Sequence, residues 1–420
     1  MFLKILAIAN PDPREGGGAY RALITLKRFS QKNIEIYLVD LSPNQDFLSY
    51  NLDLSNIHIL GSVNLIRNYS RRINILRKSL RSIDLMIRRS NIVPRKLLDE
   101  IMKLRGRIDL VLSFHESLEA LTLAHEFSEI LRVPKAAILR LPPFYGDDVR
   151  RRNILYSADI FYKSLYGGVY GSIIAQGYNF LKRLIWQRNK SLAKKYDLLI
   201  SVSKSIPQEM NVSWNNIISM DPGTGIDKND YAIISRVLRE DIRRDNIILY
   251  ASRSEPEKGV VEAIQIFKKL LEDYRDFRLY ITSHVKDSIR SRIEIYARRL
   301  GLEKKIVFTG YLNRYELFKL MRRSRSLIYP SHEDSYSTTV LESLYLKLPV
   351  VGYEIPALKI NFVEKDAKGI YLAKEYDIDT AHKILLNIIS QEIDTEPPKT
   401  IFLEDIIDEQ IMILRSFIRK

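Results

Sequence analysis

Leu327-Ile-Tyr-Pro-Ser-His-Glu-Asp-Ser-Tyr-Ser-Thr-Thr-Val-Leu-Glu-Ser-Leu-Tyr-Leu-Lys-Leu-Pro-Val-Val351 is the stretch that decides the fold of this chain. A short apolar run stops at Pro330, and a polar loop follows it. Ser337 and Thr338 then offer side-chain oxygens to the start of a helix whose pattern continues to about Lys347, and a second apolar run opens at Val350. Strand, loop, helix and strand in that order make a βαβ unit with parallel strands.

The alternation extends outward in both directions. In the C-terminal half the predicted strands are Ile247 to Ala251, Phe277 to Thr282, Ile306 to Thr309, Ser326 to Tyr329, Val350 to Tyr353 and Ile370 to Leu372. In the N-terminal half they are Leu3 to Ala9, Ile34 to Val39, Ile57 to Leu60, Leu110 to Ser113, Ala136 to Leu139 and Leu198 to Val202. Helical patterns separate them, so the expected class is α/β with two doubly wound, Rossmann-like domains. The pattern loosens between Ser203 and Asn246, and Met220-Asp-Pro-Gly-Thr-Gly-Ile-Asp227 crowds turn formers together, as an interdomain connection does. The domains are therefore expected at 1–220 and 221–400, with 401–420 a helix that crosses back to brace the first.

Composition agrees with two domains. A chain of 420 residues with 46% hydrophobic and 28% charged residues is too long for one ordinary core. It has no cysteine, which excludes disulfides and thiolate metal sites, and six histidines. Its opening run, Met1 to Asn10, reads as a buried strand and not a signal peptide, and no stretch approaches the ~20 apolar residues of a membrane-spanning helix. A cytoplasmic protein is expected.

A net charge of +15 attracts anions. No RNA-binding Gly-aromatic run or zinc-finger spacing accompanies it, so nucleic acid is not an expected partner, although a basic nucleic-acid-binding protein is the distant alternative. An anionic substrate or an anionic membrane surface remains. The segment from Ile154 to Trp186, rich in Tyr, Phe, Leu and Ile and followed by Arg188 to Lys195, reads equally as a lipid-interface element or as a helical insertion packed on a sheet.

Chemistry concentrates around the opening stretch. A helix start presents unpaired N–H groups and partial positive charge, which suit a phosphate. Asp334 lies in the loop before the helix and Glu342 about one turn inside it, with seven residues between them. Both carboxylates can flank what the helix binds and accept hydroxyl hydrogen bonds from a ribose or sugar ring. Upstream, Ile247-Ile-Leu-Tyr-Ala-Ser-Arg-Ser-Glu-Pro-Glu-Lys-Gly259 releases Arg253 from a strand end and sets Lys258 before a helix, so two cations can converge on one diphosphate.

Together these stretches resemble the donor-site motifs of the GT4 family of retaining glycosyltransferases, in an archaeal-type version. Those motifs are an acid, seven residues and a Glu ahead of a Pro-Val-Val strand, and an Arg, four residues and Lys-Gly. Phe308-Thr-Gly-Tyr-Leu312 resembles the family's loop beside the nucleobase, and Pro222-Gly-Thr-Gly-Ile-Asp227 its interdomain connection. Two departures stand out: the first acid is Asp334 where the family usually has Glu, and Ser335-Tyr336-Ser337 replaces small residues.

The resemblance implies a GT-B fold, with two Rossmann-like domains facing across a cleft, and transfer of a hexose from a nucleotide-diphosphate sugar. The acceptor would be a glycan or a lipid-linked saccharide, in N-glycan or surface-glycan assembly at the inner face of the membrane. It also implies that no metal or other cofactor is needed. Asp334, Arg253 and Lys258 would be catalytic. Glu342, Ser335, Tyr336, Ser337, Thr338, Thr339, Gly310 and Tyr311 would hold the donor, joined by Gly17 and Gly18 of the first domain, whose glycines permit close backbone approach. His115 and Arg140 would face the acceptor; Arg140 stands where many family members carry a His. A GT-B-fold nucleotide-sugar epimerase, which needs no acceptor, is the nearest alternative.

Overall fold

The computed structural model describes residues 3–13, 17–42, 56–63, 93–282 and 285–419. Gly16, part of the glycine run after the first strand, lies outside them. The chain divides into two compact units, one formed by Met1–Gly146, Phe180–Gly223 and Glu404–Lys420, the other by Asp147–Asn179 and Thr224–Leu403.

The first unit holds a seven-stranded parallel sheet. Its strands are β1 (Leu3–Ala9), β2 (Ile34–Asp40), β3 (Ile57–Ser62), β4 (Leu110–Ser113), β5 (Lys135–Leu139), β6 (Leu198–Ser201) and β7 (Ile217–Ser219). They lie in the order β3-β2-β1-β4-β5-β6-β7. The inner strands β4, β5 and β6 are buried at every position, as apolar strands covered on both faces must be. Strand β7 was not expected from the sequence: it is an edge strand of three partly exposed residues, so burial leaves little apolar imprint on it. The helix Leu403–Ile418 belongs almost wholly to this unit. Its Asp408 receives Arg28 Nε at 2.8 Å and pairs with Lys32 Nζ at 2.9 Å.

The second unit is built on β8 (Ile247–Tyr250), β9 (Arg278–Ile281), β10 (Ile306–Phe308), β11 (Ser326–Tyr329), β12 (Val350–Tyr353) and β13 (Ile370–Ala373). These are parallel in the order β10-β9-β8-β11-β12-β13, the doubly wound arrangement whose strand order reverses between β8 and β11.

The units divide between Gly223 and Thr224, within the predicted connection. Gly223 is needed there, because a Cβ would stand 2.4 Å from the Val202 Cα. Residues 147–179 differ from the sequence expectation, which placed them in the first domain. Ile154 to Leu165 lie in a helix, Asp148–Tyr166, whose Ala158, Phe161, Tyr162 and Leu165 join the core of the second unit. Chain order suggested the first sheet, but an apolar helix face carries no label for the sheet it covers.

Candidate functional site

In a doubly wound sheet, ligands bind outside the carboxyl ends of the strands where the order reverses. In the second unit that point is where β8 and β11 end, and the loops leaving them carry Arg253, Lys258 and Asp334. After β8 the chain makes a short 3-10 turn, Pro256–Lys258, and enters the helix Val260–Asp273 through Gly259 at φ 71°. A Cβ on Gly259 would lie 2.0 Å from the Pro330 carbonyl oxygen, so only glycine lets this turn press against the end of β11.

That contact delivers Lys258 to the second loop. Its side chain, only 8% exposed, donates from Nζ to the Glu333 carbonyl at 2.5 Å and stands 3.7 Å from Asp334 Oδ2. Asp334 is held from two further directions: the Tyr329 hydroxyl donates to Oδ2, and the Ser335 amide to Oδ1 at 2.8 Å. Burial, and next the Asp334 charge, push the Tyr329 hydroxyl well above its ordinary pKa, so it stays a donor. The Tyr250 hydroxyl lies 2.9 Å from the Arg253 carbonyl and 3.0 Å from that of Lys258, which pins both ends of the first loop.

Arg253 does not meet Lys258's partners directly. Its guanidinium, 44% exposed, pairs with Glu255 at 3.0 Å, and that carboxylate raises its pKa, with Glu333, Glu257 and Asp334 adding in the same sense. It is a cation within the field of the same loop, half open to solvent.

The helix Thr338–Tyr345 begins where the second loop ends. Ser337 caps it, accepting from the Val340 amide at 3.2 Å, so Thr338 and Thr339 occupy its first turn. Ser335 and Tyr336 brace the loop: the Ser335 carbonyl accepts from Asn361 Nδ2 at 2.8 Å, and Tyr336 packs on Phe362 with ring centroids 5.3 Å apart. Glu342, inside the helix, receives Arg314 Nη2, while Arg314 also grips Asp230 through Nε at 2.8 Å and Nη2 at 2.7 Å. Burial opposes the charge on Arg314, but Glu342 and Asp230 outweigh it and raise its pKa. In the loop after β10, Gly310 takes φ 70° and Tyr311 projects, 66% exposed.

In the first unit, Gly17 and Gly18 open the helix Gly17–Gln31, and among the described residues nothing lies within 4 Å of where a Cβ would stand. His115 and Arg140 follow β4 and β5. The Asn10 amide donates to His115 Nε2 at 3.1 Å, and burial, with nearby Arg140, pushes the imidazole down to about 3. The same nitrogen lies 3.3 Å from the Asn10 carbonyl, so the backbone of Asn10 occupies it. Arg140 Nε donates to the Phe114 carbonyl at 3.3 Å, and its own amide to Glu116 Oε2 at 3.0 Å.

Residues 238–400 match the model of the family described as glycosyl transferases group 1. The matched residues fall within the second unit and include Arg253, Lys258, Asp334 and Glu342. The chain is 25% identical to the serotype-specific mannosyltransferase WbdA of Escherichia coli over 189 residues, 40% of this chain and 23% of that protein. It is 23% identical to trehalose synthase of Thermococcus litoralis over 227 residues, 51% of this chain and 54% of that one. The chain thus spans about a quarter to a half of the length of these relatives. Anabaena HepE, solved with UDP and glucose, superposes with a TM-score of 0.64 at 16% identity, covering 99% of each chain. Sucrose-phosphate synthase of Thermosynechococcus elongatus does so with 0.64 at 10% identity, covering 99% of this chain and 96% of that one. At such identities the likeness establishes the fold, two Rossmann-like sheets of GT-B type.

Within the second unit, spacing alone gave no signal for Arg314, Asp230, Tyr250 or Tyr329. A buried carboxylate at position 342 needs a cation, and that requirement is the sequence-level hint that something like Arg314 must meet it.

Proposed function

We propose that the protein is a retaining glycosyltransferase that moves a hexose from a nucleotide-diphosphate sugar to a glycan or lipid-linked saccharide. The observation that carries this reading is the buried Lys258 ammonium set 3.7 Å from Asp334, beside the start of the helix Thr338–Tyr345 and at the point where strand order reverses. A diphosphate there meets Lys258, Arg253 and the helix amides, while Asp334 takes the transferred sugar's hydroxyls and Glu342 the ribose.

In transfer, the bond from the sugar's C1 to the diphosphate oxygen breaks and the acceptor oxygen bonds to C1 on the same face. The acceptor's proton leaves with the diphosphate. Lys258, Arg253 and the helix dipole offset the charge developing on the leaving group, so the reading needs no metal. The match of residues 238–400 to the group 1 family and the likeness in fold to a structure solved with UDP and glucose support it.

Work at the cytoplasmic face of a membrane fits the same reading. Among the described residues no helix is long and apolar enough to cross a membrane. The helix Gly168–Ala193 has no acidic residue, carries Lys182, Arg183, Arg188 and Lys190, and turns Val169 (81% exposed) and Ile173 (63%) to solvent. Sedimentation with anionic vesicles tests this association, and no binding at low salt overturns it.

A thermal-shift screen across UDP-, GDP-, ADP- and dTDP-sugars tests the donor reading. One nucleotide should stabilise the protein strongly, by linkage. Product analysis with saccharide acceptors then separates transfer from epimerisation.

A further inference from the structure

The residue two positions before Asp334 is fixed on every side. The His332 ring is fully buried, with Nδ1 2.8 Å from Glu375 Oε1 and Nε2 3.0 Å from Glu262 Oε1. A neutral imidazole has one N–H and one lone pair, so it would turn that lone pair toward a carboxylate. With both carboxylates ionised, only the imidazolium satisfies both partners. Its ring stacks on Tyr376 at 4.5 Å and lies 5.2 Å from that of Tyr353. Its backbone is held as well: the amide donates to the Glu257 carbonyl at 2.8 Å, and the carbonyl accepts from Arg150 Nη2 at 2.5 Å.

Arg150 also pairs with Glu375, to which Asn153 Nδ2 donates at 2.6 Å. The charged groups around the ring are therefore Glu262, Glu375 and Arg150, drawn from the helix Val260–Asp273, the loop after β13 and the helix Asp148–Tyr166. With His332 protonated, two cations face two anions. With it neutral, an uncompensated carboxylate remains inside the protein, which is costly.

We propose that protonated His332 is a positioning residue, a pH-sensitive clamp that holds the loop from Glu333 to Ser335 so that Asp334 and Lys258 meet the donor. The proposal rests on the donor-site reading above. Glu333 and Asp334 follow His332 directly, and both touch Lys258, so a shift of the clamp reaches the pair at once. Burial opposes the charge on His332, yet its bonds to Glu262 and Glu375 raise its pKa above the ordinary 6.5. Deprotonation on raising the pH loosens the loop.

The test uses the whole chain and UDP-glucose as probe. Calorimetric affinity should weaken on the order of tenfold as pH rises through a midpoint above the ordinary histidine value. His332→Gln should bind weakly with no such midpoint. Glu262→Gln, which removes one carboxylate, should shift the midpoint downward, a response that mere packing would not give. Nitrogen-15 spectra of the ligand-free protein should show both ring nitrogens of His332 protonated near neutral pH. A neutral ring, or binding independent of pH in the wild type, overturns the clamp. If UDP-glucose fails to bind at any pH, the donor-site reading for this nucleotide fails, while the spectra still decide whether the clamp is charged.

Discussion

Arg314 Nη2 reaches the Glu342 carboxylate while the same guanidinium grips Asp230, so the residue expected to hold the donor's ribose is itself held in a buried three-membered network. Glu342 and Asp230 are 10% and 6% exposed at the side chain. Both carboxylates thus share one guanidinium as their countercharge.

Glu342→Gln keeps the shape of the side chain but loses the charge that pairs with Arg314 and that, in the proposed reading, accepts the ribose hydroxyls. Donor affinity should fall roughly tenfold, as loss of a charge-assisted hydrogen bond implies. Arg314→Ala should do more, since it takes the guanidinium away from two buried carboxylates at once, at about 3–5 kcal/mol of stability. Donor titration and urea unfolding read the two effects, and wild-type affinity in Glu342→Gln would remove Glu342 from the site.

Lys258→Ala separates chemistry from folding. In the proposed transfer the lysine offsets charge on the departing diphosphate, and such a group is worth on the order of a hundredfold or more in turnover. Steady-state rates should drop by that amount, while a melting temperature close to wild type would show that the loop survives. A wild-type rate would remove Lys258 from the chemistry.

How much of this was legible in the chain itself follows from what burial prints on sequence. Strands β1, β8 and β11 are central and parallel, so they appear as continuous apolar runs, and the loops after them could be located to within one residue. Strand β7 is short and lies at an edge, and nothing marked it. Lys258 and Asp334 announced themselves because each lies a few residues ahead of a helix. Arg314 and Glu342 are distant in sequence, as are Arg150 and Glu375, so their pairing is a product of tertiary structure that no local pattern encodes.

Gly259 tests the geometry that brings the two loops together. Its positive φ disfavours any side chain, and the added Cβ of Gly259→Ala would collide with the Pro330 carbonyl. Strain of this kind costs on the order of 3 kcal/mol. Urea unfolding should show that loss, and donor binding should weaken with it because Lys258 is the preceding residue. A substitution without effect on either would mean that the turn does not press against β11.

The pH dependence of stability follows from the signs of two shifts. The pKa of His332 is raised from 6.5, so its contribution is complete below about that value and is lost as pH rises through the raised one. That of Glu375 is lowered from 4.5; burial opposes this, but the bond to His332 and the charge of Arg150 prevail. Its contribution is present above the ordinary value and lost as pH falls through the depressed one. The cluster therefore stabilises most between these limits, on the mildly acidic side of neutrality. The melting temperature of the wild type should exceed that of His332→Gln most near pH ~6, and the gap should narrow steadily toward pH ~9. A gap that stays constant across that range would mean that the ring's charge contributes nothing and only its shape matters.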